Sequence, residues 1–162
     1  MKRILLVIAL MVSMPAVSLA QDAGQIARVQ AGQSCPGCNL FQAELGYLDL
    51  PNIDVSGSRL RQANLALSTM NHTNFSGANL SVANLFGGRF TGANFRNADF
   101  TDAVLVGAYF GSANLSGAQL SGANISGAEM ASAIGLTQSQ LNTACGDAST
   151  QLPAGLHVPA CR

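Results

Sequence analysis

Between Leu40 and Met130 a large apolar residue returns at every fifth position. The series runs Leu40, Leu45, Leu50, Val55, Leu60, Leu65, Met70, Phe75, Leu80 and Leu85, then Phe90, Phe95, Phe100, Leu105, Phe110, Leu115, Leu120, Ile125 and Met130. The register holds through nineteen repeats without a slip. A helix repeats its apolar face every 3.6 residues and a strand every 2, so neither accounts for a period of five. If about a third of positions were large and apolar at random, such a run would have a probability on the order of 10⁻⁹, so a repeat architecture is the first reading. A second rhythm accompanies the first. Two residues before each apolar centre stands a small residue, mostly Ala, as at Ala43, Ala63, Ala78, Ala83, Ala93, Ala98 and from Ala103 to Ala128. Just before the centre Asn or Asp is frequent, as at Asn64, Asn79, Asn94 and Asp99.

The stretch from about residue 38 to residue 134 resembles the pentapeptide-repeat family, whose consensus is A-(D/N)-L-x-x. The resemblance implies an all-β fold, a right-handed, quadrilateral parallel β-helix with four pentapeptides per coil. On that fold the nineteen repeats make nearly five coils, a rod of about 23 Å at a coil spacing of about 4.8 Å. A square coil turns a corner every five residues, so one large and one small side chain per side point into a narrow lumen. Anything larger than Ala at the small position overfills that lumen. Gly, Asn and Ser suit the corners, which need unusual backbone angles. Leu48 and Ile53 replace the small residue and Pro51 sits at a corner, so the early coils are expected to be wider or distorted. Rings should cluster in the middle and later coils, where Phe75, Phe90, Phe95, Phe100 and Phe110 fall.

Outside the repeats three further segments are expected. Residues 1–20 open with MKR, continue with the apolar run ILLVIALMV and end at the small residues Ser18-Leu19-Ala20. This is the pattern of a secretory signal peptide cleaved after Ala20, too short for a permanent membrane span. Residues 21–37 form an N-terminal cap, with Ile26 and Val29 at helical spacing within 22–32. Residues 135–162 form a C-terminal cap, in which Thr137 and Gln140 fit a capping box opening a helix over about 138–145, with Leu141 facing in and Gly146 stopping it. The tail beyond should be extended and irregular. Both caps cover strand edges that would otherwise invite aggregation.

Charge and chemistry narrow the function. Without residues 1–20 the chain has six arginines against eight carboxylates, a formal charge of −2. That is neither the basic footprint of a nucleic-acid binder nor the dense acidity of a nucleic-acid mimic. Some members of the family mimic DNA and act on gyrase; an export signal and a near-neutral rod argue against that role here. No G-x-S-x-G, H-E-x-x-H or phosphate loop occurs, and the carboxylates do not converge, so no enzyme and no cofactor is expected. Four cysteines in an exported chain suggest two disulfides. On the rod that the resemblance implies, Cys35 and Cys38 lie at one end and Cys145 and Cys161 at the other, which implies the pairs Cys35–Cys38 and Cys145–Cys161. A redox C-x-x-C lacks its usual βαβ context. A zinc site of Cys145, His157 and Cys161 is one ligand short.

Sorting the outward positions by side leaves one anomaly. A single side of the implied rod carries Tyr47, Leu67, Phe86, Val104 and Val106, with Ala66 among them and Val82 and Tyr109 near its borders. Such a stripe marks either a contact surface or a side covered by a folded-back terminus. The expected role is therefore a non-enzymatic, periplasmic or secreted solenoid that presents a protein-binding or scaffold surface. Its partner is another protein or a second copy of itself, not nucleic acid, and no stable membrane insertion is expected once the signal is removed.

Overall fold

The computed structural model describes residues 21–162; the expected signal peptide lies outside the described residues. From residue 39 onward, parallel bridges join residues twenty apart. Asn39 pairs with Arg59, Arg59 with Asn79, Asn79 with Asp99 and Asp99 with Gln119, and three further ladders of the same kind complete a square. Each side contributes a single bridging residue per coil, because a corner follows at once. Every apolar centre from Leu40 to Met130 is buried. The backbone N–H of each centre from Leu40 to Leu115 donates to a carbonyl nineteen residues on, as Leu80 to Asp99 and Phe95 to Asn114, both within 2.8 Å.

The corners are built from one device. The second residue after each centre from Leu40 to Ile125 takes a positive φ, as at Gly77 (65°), Gly107 (65°), Tyr47 (62°) and Leu67 (57°). A left-handed residue at the third place of a four-residue turn marks a type II turn. The turn closes by a hydrogen bond from the small residue's N–H to the preceding centre's carbonyl, as Ala83 to Leu80 at 3.0 Å. Its length follows the size of the small residue. It is 2.9–3.1 Å at the alanines, 3.2 Å at Ser58 and Ser68, 3.3 Å at Cys38 and 3.4 Å at Thr73. At Leu48 and Ile53 the bond is not made. The expected distortion of the early coils is thus confined to two open corners. The ladder itself is undisturbed there, with Asp49 bridging Thr69 and Asp54 bridging Asn74.

The structure also gives a reason for Asn or Asp before the centre. Its side-chain oxygen accepts the N–H just past the centre, as Asn74 from Ser76 (3.1 Å), Asn84 from Phe86 (3.1 Å) and Asp99 from Thr101 (2.9 Å). That N–H belongs to a corner residue and would otherwise face solvent or the lumen wall unpaired. Inside, Phe75 and Phe95 stack at 4.7 Å between ring centroids, Phe90 and Phe110 at 5.4 Å, and Phe95 and Phe100 meet at 5.1 Å. Rings packed this way add about 0.5–1.5 kcal/mol per pair beyond their buried area.

Helix α1, Ala23–Gln30, covers the N-terminal end, capped by the Asp22 carboxylate, which accepts from the Gln25 N–H, and burying Ile26 and Val29. Glutamine amides satisfy the first coil's open edge. Gln25 accepts from the Asn39 N–H (2.6 Å), while Gln30 donates to the Glu44 carbonyl (2.8 Å) and Gln21 to the Gln42 carbonyl (3.0 Å). At the other end α2 is Gln138–Leu141, with the expected capping box of Thr137 and Gln140 and with Leu141 buried. It stops well short of Gly146, which corrects the longer helix expected from sequence. The reason is competition from the ladder: Cys145 bridges Asn124 and Gln151 bridges Glu129, continuing two sides of the square. The tail is likewise more ordered than expected, since Ala160 bridges Gly146. Gln140 donates to the carbonyls of Leu115 and Ala118, closing part of the last coil's edge.

Candidate functional site

Four columns of inward residues define four sides, named here by one centre each: the Leu45, Leu50, Val55 and Leu60 sides. The Leu45 side has five levels, 44–47, 64–67, 84–87, 104–107 and 124–127, held in register by the bridges Glu44–Asn64, Asn64–Asn84, Asn84–Val104 and Val104–Asn124. Its outward positions bring together the residues expected from sequence. Tyr47 is 77% exposed and Phe86 48%, with Leu67 and Val104 also exposed. Val82, at the corner where this side begins, is exposed too. Val106 and Ala66 are half-buried between neighbours in their column. No described segment folds back over the stripe: α1 lies across the N-terminal end, and Cys161 of the tail reaches only Ser126 and Asn124 at the last level. Tyr109 is half-buried and belongs to the next side, where the Arg89 guanidinium stacks over its ring at 5.5 Å.

The flatness of this side has a local cause. Leu67 lies along the rod onto the next level, so that a Cβ at Gly87 would come within 2.7 Å of Leu67 Cδ2. Gly87 also has a φ of 60°, so both backbone and neighbour call for glycine there. Glu44 carries the only charge at the outward positions of this side, and its carboxylate accepts from the Asn64 amide at 2.8 Å.

The remaining candidate residues are engaged in holding the fold. Both expected disulfides are present, Cys35–Cys38 and Cys145–Cys161. Cys35 is buried, and the Ser58 hydroxyl ties this pair to the second coil, accepting from the Cys38 N–H and donating to the Cys35 carbonyl. With its sulfurs joined to each other, the Cys145–Cys161 pair supplies no thiolate beside His157, and no group of His, Cys, Asp and Glu suited to a metal occurs among the described residues. His72 stands exposed at a corner, over Gly92. Two carboxyls are held below the usual range. Asp54 is lowered by hydrogen bonds from the Ser56 side chain and backbone and by the Asn74 amide, against an opposing desolvation. Asp147 is lowered chiefly by the Ser149 hydroxyl, helped by the N–H groups of Ser149 and Gly127 and by Thr150. Each stabilises a turn. No cavity occurs among the described residues, and none of their helices is long and apolar enough to cross a membrane.

Comparison with known proteins agrees with this architecture. The family model for pentapeptide repeats matches in eight copies over residues 38–77, 63–102, 78–117 and 103–134. The chain belongs to the pentapeptide repeat family, whose members form right-handed quadrilateral β-helices. Among solved structures it is similar to a pentapeptide repeat protein from the Arabidopsis thaliana thylakoid lumen, with 26% identity, a TM-score of 0.37, and coverage of 68% of this chain and 75% of that one. A pentapeptide repeat protein from Nostoc Pcc 7120 shares 25% identity, with a TM-score of 0.36 and coverage of 85% and 88%. The plasmid-mediated fluoroquinolone resistance protein QnrB1 shares 17% identity, with a TM-score of 0.37 and 76% of each chain covered. No curated protein sequence matches the chain.

Reasoning from sequence placed the stripe but missed what surrounds it. The glutamines that seal both ends and the Asn64–Glu44 bond are separated in sequence by fourteen or more residues. The Asn64–Glu44 bond becomes legible through the twenty-residue offset, whereas the glutamine bonds depend on where each cap lies over its end of the rod.

Proposed function

We propose that the protein is a non-enzymatic, exported binding solenoid that recognises a protein through its Leu45 side. One observation supports this reading above others: an uncovered row of large apolar side chains, Tyr47, Leu67, Phe86 and Val104, on a flat and nearly uncharged side of a rod whose other outward residues are mainly polar. Exposed patches of this kind, rimmed by polar residues, mark interaction sites on soluble proteins, and aromatic anchors dominate the energetics of such sites. The rod supplies rigid positioning at a fixed coil spacing and needs no catalytic group to do so. Export to the periplasm or beyond is supported by the sequence of residues 1–20 and suits a fold closed at both ends by disulfides.

The test is recovery of bound protein by affinity-tagged full-length chain expressed in its own envelope. Phe86→Ser together with Leu67→Ser should reduce recovery at least tenfold, while Arg96→Ala on the Val55 side should leave it unchanged. Equal recovery by all three forms would refute the reading. N-terminal sequencing of the exported protein should begin at Gln21; a chain retaining Met1 would refute export by cleavage.

A further inference from the structure

The two disulfides close the rod in different ways. Cys35 is buried, and both halves of its pair are pinned to the second coil. The Cys35 N–H donates to the Asp54 carbonyl at 2.7 Å, and the Ser58 hydroxyl accepts from the Cys38 N–H at 3.1 Å while donating to the Cys35 carbonyl at 3.0 Å. Breaking that disulfide would leave both sulfurs side by side and release no segment. At the other end only one partner is pinned. The Cys145 N–H donates to the Ala123 carbonyl at 2.9 Å, and the Cys145 carbonyl accepts from the Ile125 N–H at 2.8 Å. Cys161 is exposed and belongs to residues 152–162, a strap that follows Gln151, which bridges Glu129.

The strap rests mostly on the cap. The Gly146 N–H donates to the Pro159 carbonyl at 2.8 Å, and the Cys161 N–H donates to the Gly146 carbonyl at 3.0 Å. The Gln138 side chain donates to the His157 carbonyl at 2.8 Å and accepts from the His157 N–H at 3.1 Å. Leu152, Leu156 and Val158 are half-buried. Val158 lies on bare backbone, since a Cβ at Gly146 would come within 2.7 Å of Val158 Cγ1. Polar contact with the rod itself comes only from the Cys161 sulfur, 3.4 Å from the Asn124 side-chain oxygen and 3.6 Å from the Ser126 hydroxyl. The disulfide spans sixteen residues, and closing a loop of that size favours the closed strap by about a hundredfold. With so few other bonds, that factor decides whether the strap stays down.

We propose that Cys145–Cys161 is a redox latch, opened by a dithiol reductant, and that residues 152–162 are the strap it holds. One thiolate of the dithiol attacks the exposed Cys161 sulfur, the Cys145–Cys161 bond breaks, and Cys145 leaves as a thiolate. The second thiol of the reductant then displaces Cys161 from the mixed disulfide. The dithiol departs as its own disulfide, having given two electrons, and its two protons end on Cys145 and Cys161. Ala160 bridges Gly146 and so extends the Leu45 side by one level. Opening the latch uncovers that edge, with the Gly146 N–H and carbonyl unpaired, while the ladder bonds of Cys145 stay in place. The latch does not depend on what the Leu45 side binds.

The test treats the full exported chain with dithiothreitol under native conditions and maps the thiols by alkylation and mass spectrometry. Cys145 and Cys161 should be labelled together, at least about tenfold faster than Cys35 and Cys38. Amide hydrogen exchange then reads the strap. The Gly146 and Cys161 N–H groups should exchange at least about tenfold faster after reduction, while those of Leu80 and Phe95 keep their protection. Cys161→Ser should show the same fast exchange without reductant, and the double variant Cys35→Ser, Cys38→Ser should leave Gly146 protected. A pair that resists dithiothreitol until denaturant is added would overturn the proposal. So would a reduced chain whose Gly146 and Cys161 amides stay protected, or one in which Phe95 loses protection equally, since the disulfide would then be a staple of the whole fold.

Discussion

The Leu45 and Val55 sides lie opposite each other across one lumen and share a backbone, yet their outer surfaces have little in common. The Val55 side carries Asp54, Asn74 and Asn94 in a column tied by side-chain bonds from level to level. The Asn74 amide donates to Asp54 at 3.1 Å and the Asn94 amide to Asn74 at 3.1 Å. The Leu45 side breaks its corresponding column: Asn64 reaches Glu44, but Val104 stands where the polar series would continue. Inside, both sides are apolar and fully buried, with Phe75 and Phe95 on one and Leu65 and Leu85 on the other. The comparison separates two tasks. Inward positions and corner geometry build the rod, and the outward positions are free to differ, so whatever distinguishes this chain chemically is written on the outside.

That division can be broken or sharpened by substitution. The largest effect is expected from Phe95→Ala beneath the Val55 side, where the ring touches those of Phe75, Phe90, Phe100 and Phe110. A loss of about 3–5 kcal/mol in urea unfolding is expected. Next comes Ala83→Leu beneath the Leu45 side, which places a large residue where the Ala83 N–H closes a turn at 3.0 Å. It should open that corner as Leu48 and Ile53 open theirs, and cost about 1–3 kcal/mol. An unchanged midpoint would show that the lumen of the middle coils has room to spare.

Smaller effects separate the outer surfaces. Asn94→Ala removes a bond to the Arg96 N–H and a bond to Asn74, and should cost about 0.5–1.5 kcal/mol. Asn84→Ala on the opposite side loses the bond to the Phe86 N–H and should cost less than Asn94→Ala. Equal losses would deny that the polar column adds stability. Acid should also weaken the Val55 side, at a pH below the ordinary carboxylate range. The folded pKa of Asp54 lies below its ordinary 3.8, so its contribution is present above that value and is lost as pH falls through the lowered one. Asp54→Asn should flatten this acid-side slope in unfolding midpoints measured below about pH 4, and an unaltered slope would assign it to other carboxyls. Smallest of all, Phe86→Ser should change stability by no more than about 0.5 kcal/mol, as at exposed sites generally. A larger loss would make the ring structural and remove it as a contact residue.

Much of this was legible before any coordinates. The five-residue period gives the buried centres outright, and the small residue before each gives the lumen's width. The cysteine pairs follow once the rod's length is known. Other features were hidden for physical reasons. The role of Asn and Asp before the centre depends on a bond to the N–H two residues on, which spacing alone does not reveal. Sequence overstates the length of α2 because local capping signals cannot register the competing ladder that draws Cys145 onto Asn124. Side-chain volume at Leu48 and Ile53 implies disturbed corners, but not their restriction to two turns, since the ladder passes them undisturbed. The outward stripe was legible as a set of residues, while its being uncovered depended on where both termini run.

The bridge offset of twenty residues has an evolutionary consequence. Adding or removing a whole coil lengthens or shortens the rod and leaves every later side chain on its own side. Adding or removing a single pentapeptide leaves the core equally content, because any centre can occupy any side. It nevertheless turns everything downstream by a quarter revolution. Five residues deleted between Leu67 and Phe86 would carry Phe86, Val104 and Val106 round a corner from Tyr47 and Leu67. The fold is thus nearly blind to phase, whereas the surface is wholly dependent on it, and selection on this chain's partner would be visible as an intolerance of insertions that its core would accept.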